Sequence, residues 1–390
     1  MDPLEHDPDL TALREERLAR LQASMAAHGV DGCLLFNEPN IRYATGASAM
    51  PVWSMSTFVR CALVPGEGDP ILFEHPNSIH RSRHRAKDVR PMHAWEFYDD
   101  PAAEATTWAA ETAAGMRELG IAGPLAVDRV GAPGFLALAA EGVAIVDSAP
   151  VTQEAREVKT PQEIRLFELN GRLISEALAE FEAAVVPGAR EQDLLAVLAS
   201  AVLRRGAEYL ATSTCPSGPN TNPWRAEATG RELADGDLVF VDTDTVGVEG
   251  CFFCVSRTFL CGHLPATRAQ VDAYRAAYGW LEGMRETLRP GLTCAEVAAR
   301  APRLPDRYLA QRYEVMVHSV GLEEESPSVA YPSDQQPNPD RVLREGMVLV
   351  AEVYAGEVGA GDGVKLGDEL LLTDDGPVVL APYPFEPRLL

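Results

Sequence analysis

The sequence predicts two domains, an α/β domain over residues 1–154 and an α+β domain over residues 155–390. The length of 390 residues supports this division, because a single hydrophobic core seldom serves a chain of that size. Short strand-like and helical runs alternate in the first part, as they do in α/β domains. From residue 155 onward, long amphipathic helices and longer strands follow, and one motif occurs twice.

The first domain opens with a predicted helix over residues 10–30, in which apolar residues recur at helical spacing. The apolar run within 31–36 then predicts a short buried strand. The same two patterns continue to alternate along the domain. They predict strands over 61–66, 70–75, 123–128 and 143–148, and helices over 102–119 and 133–141.

The second domain begins with a long helix within 155–185, where Thr160 is placed to cap the helix and Pro161 to be its first residue. Thr caps a helix because its hydroxyl accepts a hydrogen bond from a free backbone N–H group. The pattern that follows predicts helices over 190–206 and 267–288, and strands over 237–243, 252–260, 313–318, 347–354 and 364–373.

The repeated motif reads "VPGAREQDLLAVLA" over 186–199 and "RPGLTCAEVAARA" over 289–301. Both copies have Pro-Gly, an acidic residue five positions after the Gly, and an apolar run. Each copy follows a long helix and opens another one. This predicts a duplicated half with pseudo-twofold symmetry. The alternative is that Pro-Gly before a helix is common loop chemistry.

The composition limits the partners and the location of the protein. A formal net charge of −24 and a pI of about 4.7 argue against nucleic acid and anionic membranes, because binding to either needs clustered Lys and Arg. No run approaches the ~20 apolar residues of a membrane span, and the acidic start "MDPLEHDPDL" lacks the apolar stretch of an export signal. We therefore expect a cytoplasmic protein. Seven cysteines, an odd number, predict no disulfide framework, and most of them are expected to be buried.

Two carboxylates, Asp242 and Asp244, follow the apolar run "DLVFV". Residues two positions apart on a strand point to the same face, so we expect these side chains to lie together. Their burial is costly unless a cation, a proton or a donor compensates for the charge, whereas at an exposed strand end they would merely be solvated. His318 and Glu352 are further polar residues within apolar runs. Oxygen and imidazole groups in this combination are typical of a divalent-cation site.

Cys251 and Cys254 form a CxxC motif. A zinc knuckle is disfavoured, because there is no second CxxC and the two thiols would face opposite sides of a strand. A redox pair is also disfavoured, because such pairs act at a helix N-terminus. The chain has no GxGxxG, P-loop, GxSxG or HExxH pattern.

These segments, in this order, resemble the creatinase/aminopeptidase P/methionine aminopeptidase superfamily, whose catalytic domain is the duplicated pita-bread fold. "AREVKTPQEI" resembles the start of that domain, and its ligand blocks resemble "FVDTDTV", "SRTF", "VHSVG", "VLVAEVYAGE" and "GVKLGDELLLTDDG". Within the superfamily, "NIRYATG", "SGPNTNPW" and "VAYPSD" are more similar to the dimethylsulfoniopropionate lyase branch than to the peptidases. The resemblance covers nearly the whole chain.

The resemblance implies that relatives hold a pair of metal ions. Four of the ligand positions are matched here by Asp242, Asp244, His318 and Glu352. The two positions whose carboxylates bridge the metals in the family fall on Cys254 and Gly367, and Glu369 lies two residues further on as an alternative ligand. Two close divalent ions repel each other unless shared anionic ligands hold them, so we expect no metal pair.

We expect the enzyme to work without a cofactor, as the resemblance to creatinase and ectoine hydrolase allows. The alternative is one iron or zinc ion, because a Cys ligand shifts the preference towards these metals. The ligands of such an ion would come from Asp242, Asp244, Cys254, His318 and Glu352.

Tyr313 and Glu324 fall where the lyase branch has an active-site Tyr and a catalytic Asp base. The additional methylene of Glu moves the carboxylate by ~1.5 Å, which implies a different substrate geometry. The predicted catalytic residues are Asp242, Asp244, Tyr313, His318, Glu324 and Glu352. The predicted substrate-binding residues are Trp53, Phe58, Asn222, Trp224 and Cys254. A nucleophilic role for Cys254 is disfavoured, because nearby carboxylates oppose the thiolate.

The sequence thus predicts a non-peptidase pita-bread enzyme, a hydrolase or lyase that cleaves a C–N, C–S or C–C bond of a small polar metabolite. Carboxylate and histidine acid–base catalysis without metal is the expected mechanism. One alternative is a mononuclear metal-dependent lyase similar to the dimethylsulfoniopropionate lyases, and another is a catalytically silent small-molecule-binding protein. The resemblance also implies a homodimer in which Trp53 reaches the site of the partner, and the aromatic residues are expected to stack on a cationic or planar substrate.

Overall fold

The computed structural model describes residues 8–48, 50–54, 57–96, 99–224, 227–334 and 338–390. These residues form two compact units, one of Asp9–Arg156 and one that contains Glu157–Leu390. The first unit is an α/β domain and the second is an α+β domain, so the predicted fold class is confirmed.

The N-terminal unit is built on a six-stranded mixed sheet. Its strands are β1 (Gly32–Leu35), β2 (Cys61–Pro65), β3 (Ile71–Glu74), β4 (Asp88–Pro91), β5 (Leu125–Val127) and β6 (Ile145–Asp147). Its helices are α1 (Leu10–Ala27), α2 (Glu38–Thr45), α3 (Pro51–Ser54), α4 (Ile79–Ser82), α5 (Pro101–Glu118), α6 (Ala132–Ala140) and α7 (Ala149–Glu157). The strand order is β4-β3-β2-β1-β5-β6, antiparallel where β2 pairs with β1 and β3 and parallel elsewhere.

An aromatic cluster holds the core of this unit. Trp108 of α5 is completely buried, and its ring centroid lies 4.8 Å from that of Trp95 and 5.7 Å from that of Phe36. The helix begins at Asp100, whose side chain accepts a hydrogen bond from the N–H of Ala103. Large aromatic side chains contribute much of the burial that stabilises a domain of this size.

The C-terminal unit contains two antiparallel sheets. Its strands are β7 (Tyr209–Leu210), β8 (Leu238–Asp242), β9 (Thr245–Val246), β10 (Phe252–Phe253), β11 (Ser256–Leu260), β12 (Val315–Val320), β13 (Glu324–Ala330), β14 (Val348–Gly356), β15 (Gly363–Thr373) and β16 (Gly376–Val379). Its helices are α8 (Pro161–Ala184), α9 (Glu191–Arg204), α10 (Arg268–Thr287), α11 (Cys294–Arg300) and α12 (Asp306–Leu309). The main sheet has the order β13-β12-β14-β15-β11-β8 with β16 beside β15, and the smaller sheet has the order β10-β9-β7.

The start of α8 confirms the predicted cap. Thr160 accepts a hydrogen bond from the N–H of Glu163, the Glu163 side chain accepts one from the N–H of Thr160, and Pro161 is the first helical residue. Such a reciprocal pair satisfies two backbone donors that the helix itself leaves free.

Two predicted strands differ from the observed ones. The strand predicted over 313–318 begins at Val315, so Tyr313 lies in the loop before it. The strand predicted over 252–260 is broken into β10 and β11, with Cys254 and Val255 between them. The break occurs because Val255 N–H donates to the Thr243 hydroxyl, whereas a regular ladder would use a backbone carbonyl.

The main sheet separates an apolar core from a polar face. Helix α10 packs against one side, where Tyr274 and Trp280 are buried with alternate residues of β14 and β15 such as Ala351 and Leu366. Successive side chains of a strand point to opposite faces. Residues such as Glu352 and Lys365 therefore lie on the side away from α10.

The repeated motif makes the same backbone contacts in both copies. Gly188 N–H donates to the Leu233 carbonyl, and Gly291 N–H donates to the Leu343 carbonyl, at 2.8 Å in each case. A strand of the main sheet follows each contact, β8 after Leu233 and β14 after Leu343. Asp242 and Glu352 stand at the same distance along the chain from these leucines. The duplication therefore places one carboxylate from each copy at equivalent positions.

Among the residues that the structure describes, no helix combines the length and the apolar character needed to cross a bilayer. All seven cysteines are buried and free, as the sequence predicts.

Candidate active site

The candidate site lies where four strands of the main sheet bring two carboxylates together. Asp242 ends β8 and pairs with Ser256 of β11, while Glu352 of β14 pairs with Gly367 of β15. Ser256 and Gly367 pair with each other across the middle. The Ser256 hydroxyl lies 3.0 Å from Asp242 Oδ1 and 3.3 Å from Glu352 Oε1, between the two carboxylates.

A buried lysine, Lys365, completes this cluster, and the sequence analysis did not identify it. Its Nζ lies 3.0 Å from Glu352 Oε1 and 3.5 Å from Asp242 Oδ2, and the side chain is completely buried. The same nitrogen lies 3.3 Å from the ring centroid of Tyr313 and 4.6 Å from that of Trp224. Two carboxylates, one ammonium and two aromatic faces thus form one compact arrangement.

The lysine changes the electrostatics of the carboxylates. Burial alone raises the pKa of Glu352, but the charge of Lys365 and the neighbouring His318 outweigh burial and hold this pKa well below its ordinary value. Burial lowers the pKa of Lys365, yet Glu352 and Asp242 overcome this effect and raise it. Glu352 is therefore a carboxylate and Lys365 an ammonium at neutral pH.

The pKa values of the two other acidic side chains, Asp242 and Asp244, are raised instead. Burial, followed by repulsion from Asp242 and Glu352, raises the pKa of Asp244 to about 8. The Thr212 hydroxyl donates to Asp244 Oδ2 at 2.9 Å. Burial also raises the pKa of Asp242, with Lys365 opposing and Glu352 adding to the rise. Asp244 is therefore largely protonated at neutral pH.

His318 stands beside Glu352 without a direct hydrogen bond to it. The two atoms Nε2 and Glu352 Oε2 are 3.6 Å apart, which exceeds hydrogen-bond distance, and neither has another partner among the described residues. Nδ1 lies 3.2 Å from the Ser319 carbonyl, which fixes the ring orientation. Burial lowers the pKa of His318, but Glu352 outweighs this effect and raises it. A polar ligand atom beside this pair would give both atoms the hydrogen-bond partner that they lack among the described residues.

Cys254 contacts both carboxylates as a thiol. Its Sγ lies 3.5 Å from Asp242 Oδ1 and 3.3 Å from Glu352 Oε1. Burial, followed by the negative charge of Glu352, raises the pKa of this thiol well above its ordinary value. A neutral, buried thiol is a poor nucleophile, because nucleophilic attack needs the thiolate.

Two predicted substrate-binding residues, Trp224 and Asn222, lie near the cluster in the segment "SGPNTNPW". The half-buried Trp224 meets the Tyr313 ring edge to face, with centroids 4.6 Å apart. The Asn222 amide donates to the carbonyls of Glu357 and Ala360, and its oxygen accepts from neighbouring side chains. Asn222 therefore holds this loop in place, and direct contact with a substrate stays a prediction.

Glu324 begins β13 and is exposed. It pairs with Val320 across the β12–β13 hairpin, and its charge contributes to the raised pKa of His318. Its role as a catalytic base stays a prediction. The next residue, Glu325, is buried and bound to Lys159 at 2.9 Å, so Glu324 rather than Glu325 presents its carboxylate to solvent.

The two remaining predicted binding residues belong to the N-terminal unit. Trp53 stacks on His75, with ring centroids 5.7 Å apart. Phe58 stacks on Trp95 at 5.8 Å and packs against the core of its unit. Their contact with a substrate, across a dimer or otherwise, stays a prediction.

The side chains present do not fit a metal pair. Gly367 faces Glu352 and provides no ligand, while the Lys365 ammonium already neutralises Glu352 Oε1. Glu369 does not substitute, because it accepts the N–H of Cys254 at 2.9 Å and belongs to neither ligand group formed by the described residues. Those two groups bring their ligand atoms within 4.8 Å of one another and share one thiol; they are Cys254 with His318 and Glu352, and Cys254 with Asp242 and Asp244.

Comparison with known proteins identifies both units. Residues 17–158 match the creatinase/prolidase N-terminal domain, and residues 166–374 match metallopeptidase family M24. The dimethylsulfoniopropionate lyases DddP of Roseovarius nubinhibens and Roseobacter denitrificans are each 33% identical over 98% of this chain, which spans 89% and 88% of their lengths. A probable dipeptidase PepE of Mycobacterium bovis is 29% identical over 63% of this chain and 64% of its own length.

Solved structures show the same fold. A Bacillus anthracis Xaa-Pro dipeptidase superposes with a TM-score of 0.78 at 20% identity, covering 96% of this chain and 99% of that one. The Pyrococcus horikoshii prolidase superposes with a TM-score of 0.76 at 21% identity, covering 95% and 99%. The resemblance that the sequence motifs carry is confirmed. The chain belongs to metallopeptidase family M24, the creatinase/aminopeptidase P superfamily of pita-bread proteins, and it is similar over nearly its whole length to the dimethylsulfoniopropionate lyases DddP.

Proposed function

We propose that this protein is a non-peptidase lyase or hydrolase that cleaves a C–N, C–S or C–C bond in a small polar metabolite without a metal ion. The observation that carries the proposal is the His318–Glu352 pair, with Nε2 and Oε2 facing each other at 3.6 Å in a buried setting and no other partner among the described residues. A histidine oriented by a carboxylate is a common acid–base group, since the carboxylate stabilises the imidazolium.

The chemistry needs a proton acceptor and a proton donor at the same substrate. In the lyase reaction, a base removes a proton from carbon, the released electron pair forms a double bond, and the leaving group departs with its bonding pair. His318 is placed to exchange a proton with a substrate atom held against Glu352, and Asp244 holds a proton nearby. The exposed Glu324, whose charge acts on His318, is the proposed second proton-transfer group.

The relatives favour a lyase over a peptidase. The lyases DddP are more similar to this chain than PepE is, and over a larger share of it. Two-metal peptidase chemistry depends on carboxylates that bridge the metals. The neutral thiol of Cys254 and the absent side chain at Gly367 leave those bridging positions without a carboxylate.

A second candidate is a lyase with one bound iron or zinc ion. The grouping of Cys254, His318 and Glu352 within 4.8 Å favours it, because these are ligand types that iron and zinc accept. Against it stands the ammonium of Lys365, 3.0 Å from Glu352 Oε1, which would repel the ion.

One experiment separates the two candidates. Protein expressed without an affinity tag is treated with a chelator, its metal content is measured by plasma mass spectrometry, and the same sample is assayed. The substrates are dimethylsulfoniopropionate, its quaternary-ammonium analogues and Xaa-Pro dipeptides, with product detected by mass spectrometry. Cleavage of a non-peptide substrate by metal-free protein is expected. Activity that disappears with the metal and returns with iron or zinc contradicts metal independence, and cleavage of the dipeptides alone contradicts the non-peptidase assignment.

Saturable binding of a metabolite without any product would contradict the enzymatic proposal and support a binding protein. The homodimer stays a prediction, which sedimentation equilibrium of the full chain tests.

A further inference from the structure

Three side chains with donor groups join the carboxylates of Asp242 and Glu352, two through hydrogen bonds and one through ion pairs. The Cys254 thiol lies 3.5 Å from Asp242 Oδ1 and 3.3 Å from Glu352 Oε1. The Ser256 hydroxyl lies 3.0 Å and 3.3 Å from the same two atoms. The Lys365 ammonium lies 3.0 Å from Glu352 Oε1 and 3.5 Å from Asp242 Oδ2. Each donor contacts both carboxylates, which is the geometric role of a bridging cation.

Only one of these donors carries a positive charge. Two carboxylates buried together repel each other strongly, and neutral donors reduce that repulsion less than a cation does. Lys365 is completely buried, so its ammonium interacts with these side chains and with little water. The rings of Tyr313 and Trp224 cover its other side and favour a cation at this point.

Two of these donors, Cys254 and Lys365, occupy equivalent positions in the two repeats. Cys254 precedes Ser256 by two positions, Lys365 precedes Gly367 by two, and Ser256 and Gly367 are cross-strand partners. The charged donor, Lys365, thus lies on the same strand, β15, as Gly367, which occupies a metal-ligand position of the family pattern. A divalent ion between the carboxylates would have to displace this ammonium.

We propose that Lys365 is a positioning residue whose ammonium, bridging Asp242 and Glu352, supplies the positive charge of this site and excludes a divalent ion from it. This inference rests on the metal-independent function proposed above. Its consequence is that the two carboxylates are held in place by the chain itself. Removal of the ammonium leaves them, with His318 and Cys254, as an acidic site open to one divalent cation.

The test compares the wild type with K365M, which removes the charge at similar length, and with K365R, which keeps it. Each metal-stripped protein is dialysed against zinc chloride, and bound zinc per chain is measured. We expect K365M to bind one zinc ion more than about tenfold tighter than the wild type and K365R. We also expect K365M to lose turnover while K365R keeps part of it, since the positive charge remains. Equal zinc affinity in all three proteins overturns the inference.

K365A provides a second measurement that is valid even if K365M does not fold. Its cavity should accept an alkylammonium ion, so propylammonium should raise its melting temperature and partly restore turnover, whereas propanol should not. Equal effects of the two additives, or none, overturn the inference.

The outcomes separate this inference from the proposed function. Metal-free wild type that turns over, together with K365M that neither gains zinc affinity nor loses turnover, refutes the role of Lys365 alone. Wild type that requires a metal for turnover refutes the metal-independent function itself.

Discussion

Glu352 and Gly367 are cross-strand partners, and a Cβ atom at Gly367 would lie 3.2 Å from both Cγ and Oε1 of Glu352. It would lie equally close to the Ser256 hydroxyl. The space beside Gly367, to which the family resemblance assigns a metal-bridging side chain, is therefore filled here by the neighbouring side chains themselves. Glu352 is held in place by packing as well as by charge.

The first prediction concerns this contact. G367A should push the Glu352 carboxylate away from Lys365, lower the free energy of unfolding by about 1–3 kcal/mol and reduce turnover. Urea denaturation and steady-state kinetics measure both effects. G279A is the control, because Gly279 lies within α10 with open space around its Cβ position, and Ala there should be neutral or stabilising. Unchanged kinetics in G367A would show that Glu352 tolerates displacement.

The second prediction concerns proton transfer. H318Q should lower turnover by about 10²–10⁴-fold, because glutamine cannot exchange a proton as imidazole does. Far-ultraviolet circular dichroism should stay unchanged. H263Q is the control, because His263 is exposed and should leave turnover as it is. Similar activity in both variants would remove His318 from the mechanism.

The third prediction concerns the buried ion pair of Lys159 and Glu325, whose Nζ and Oε2 lie 2.9 Å apart with both side chains almost fully buried. E325Q should lower the free energy of unfolding by about 3–5 kcal/mol, because the lysine charge loses its buried partner. D69N breaks the exposed pair of Lys87 and Asp69, also at 2.9 Å, and should cost at most about 1 kcal/mol. Equal costs in a urea titration would contradict the burial argument.

The fourth prediction concerns acid stability. Burial raises the pKa of Glu191, but hydrogen bonds from Thr229 and Ser217 outweigh it and bring this pKa below the ordinary value of 4.5. Because the folded-state pKa is lowered, the stabilisation is present above pH 4.5 and is lost as the pH falls through the folded-state pKa.

E191Q should therefore melt at a lower temperature than the wild type at neutral pH, and the difference should shrink below pH 4.5. Thermal melts across this range measure the effect. E232Q provides the control, since Glu232 is exposed at the backbone bridge that it forms with Arg190. Parallel melting curves for E191Q and the wild type at every pH would refute the assignment.

The fifth prediction concerns the thiols. All seven cysteines are buried and free, so the native protein should react slowly with Ellman's reagent and release seven equivalents after denaturation. Rapid reaction of any thiol in the native protein would contradict the prediction that all seven are protected by burial.

Sequence reasoning identified the carboxylates of the site because they interrupt apolar runs. Asp242 and Glu352 occur in strands that are otherwise apolar, and burial of a charge there needs a partner. Lys365 gives the same signal within "GVKLGD", whereas the ligand pattern of the family points only to the missing carboxylate at Gly367. A charged residue of either sign in a buried strand indicates a buried partner of opposite charge.

Other features could not be predicted from local pattern. Strand β13 was missed because it begins with "EESPS", and Glu and Pro are uncommon in strands. Trp224 is predicted to stack on a cationic or planar substrate, and this contact stays a prediction. In the structure its ring and that of Tyr313 lie against the ammonium of Lys365, which spacing along the chain does not reveal. Spacing along a chain shows which face a side chain takes, but distances between strands depend on register and packing.

The duplication described above has a consequence for how a substrate is oriented. The two repeats contribute matching carboxylates, but at the next equivalent position one contributes the neutral Cys254 and the other the charged Lys365. The backbone arrangement of the two repeats is nearly two-fold symmetric, whereas the charges within the site are not. A dipolar molecule that binds between the repeats has the neutral Cys254 on one side and the charged Lys365 on the other, so its two possible orientations differ in energy. Two repeats with matching carboxylates thus form a site with a defined head and tail.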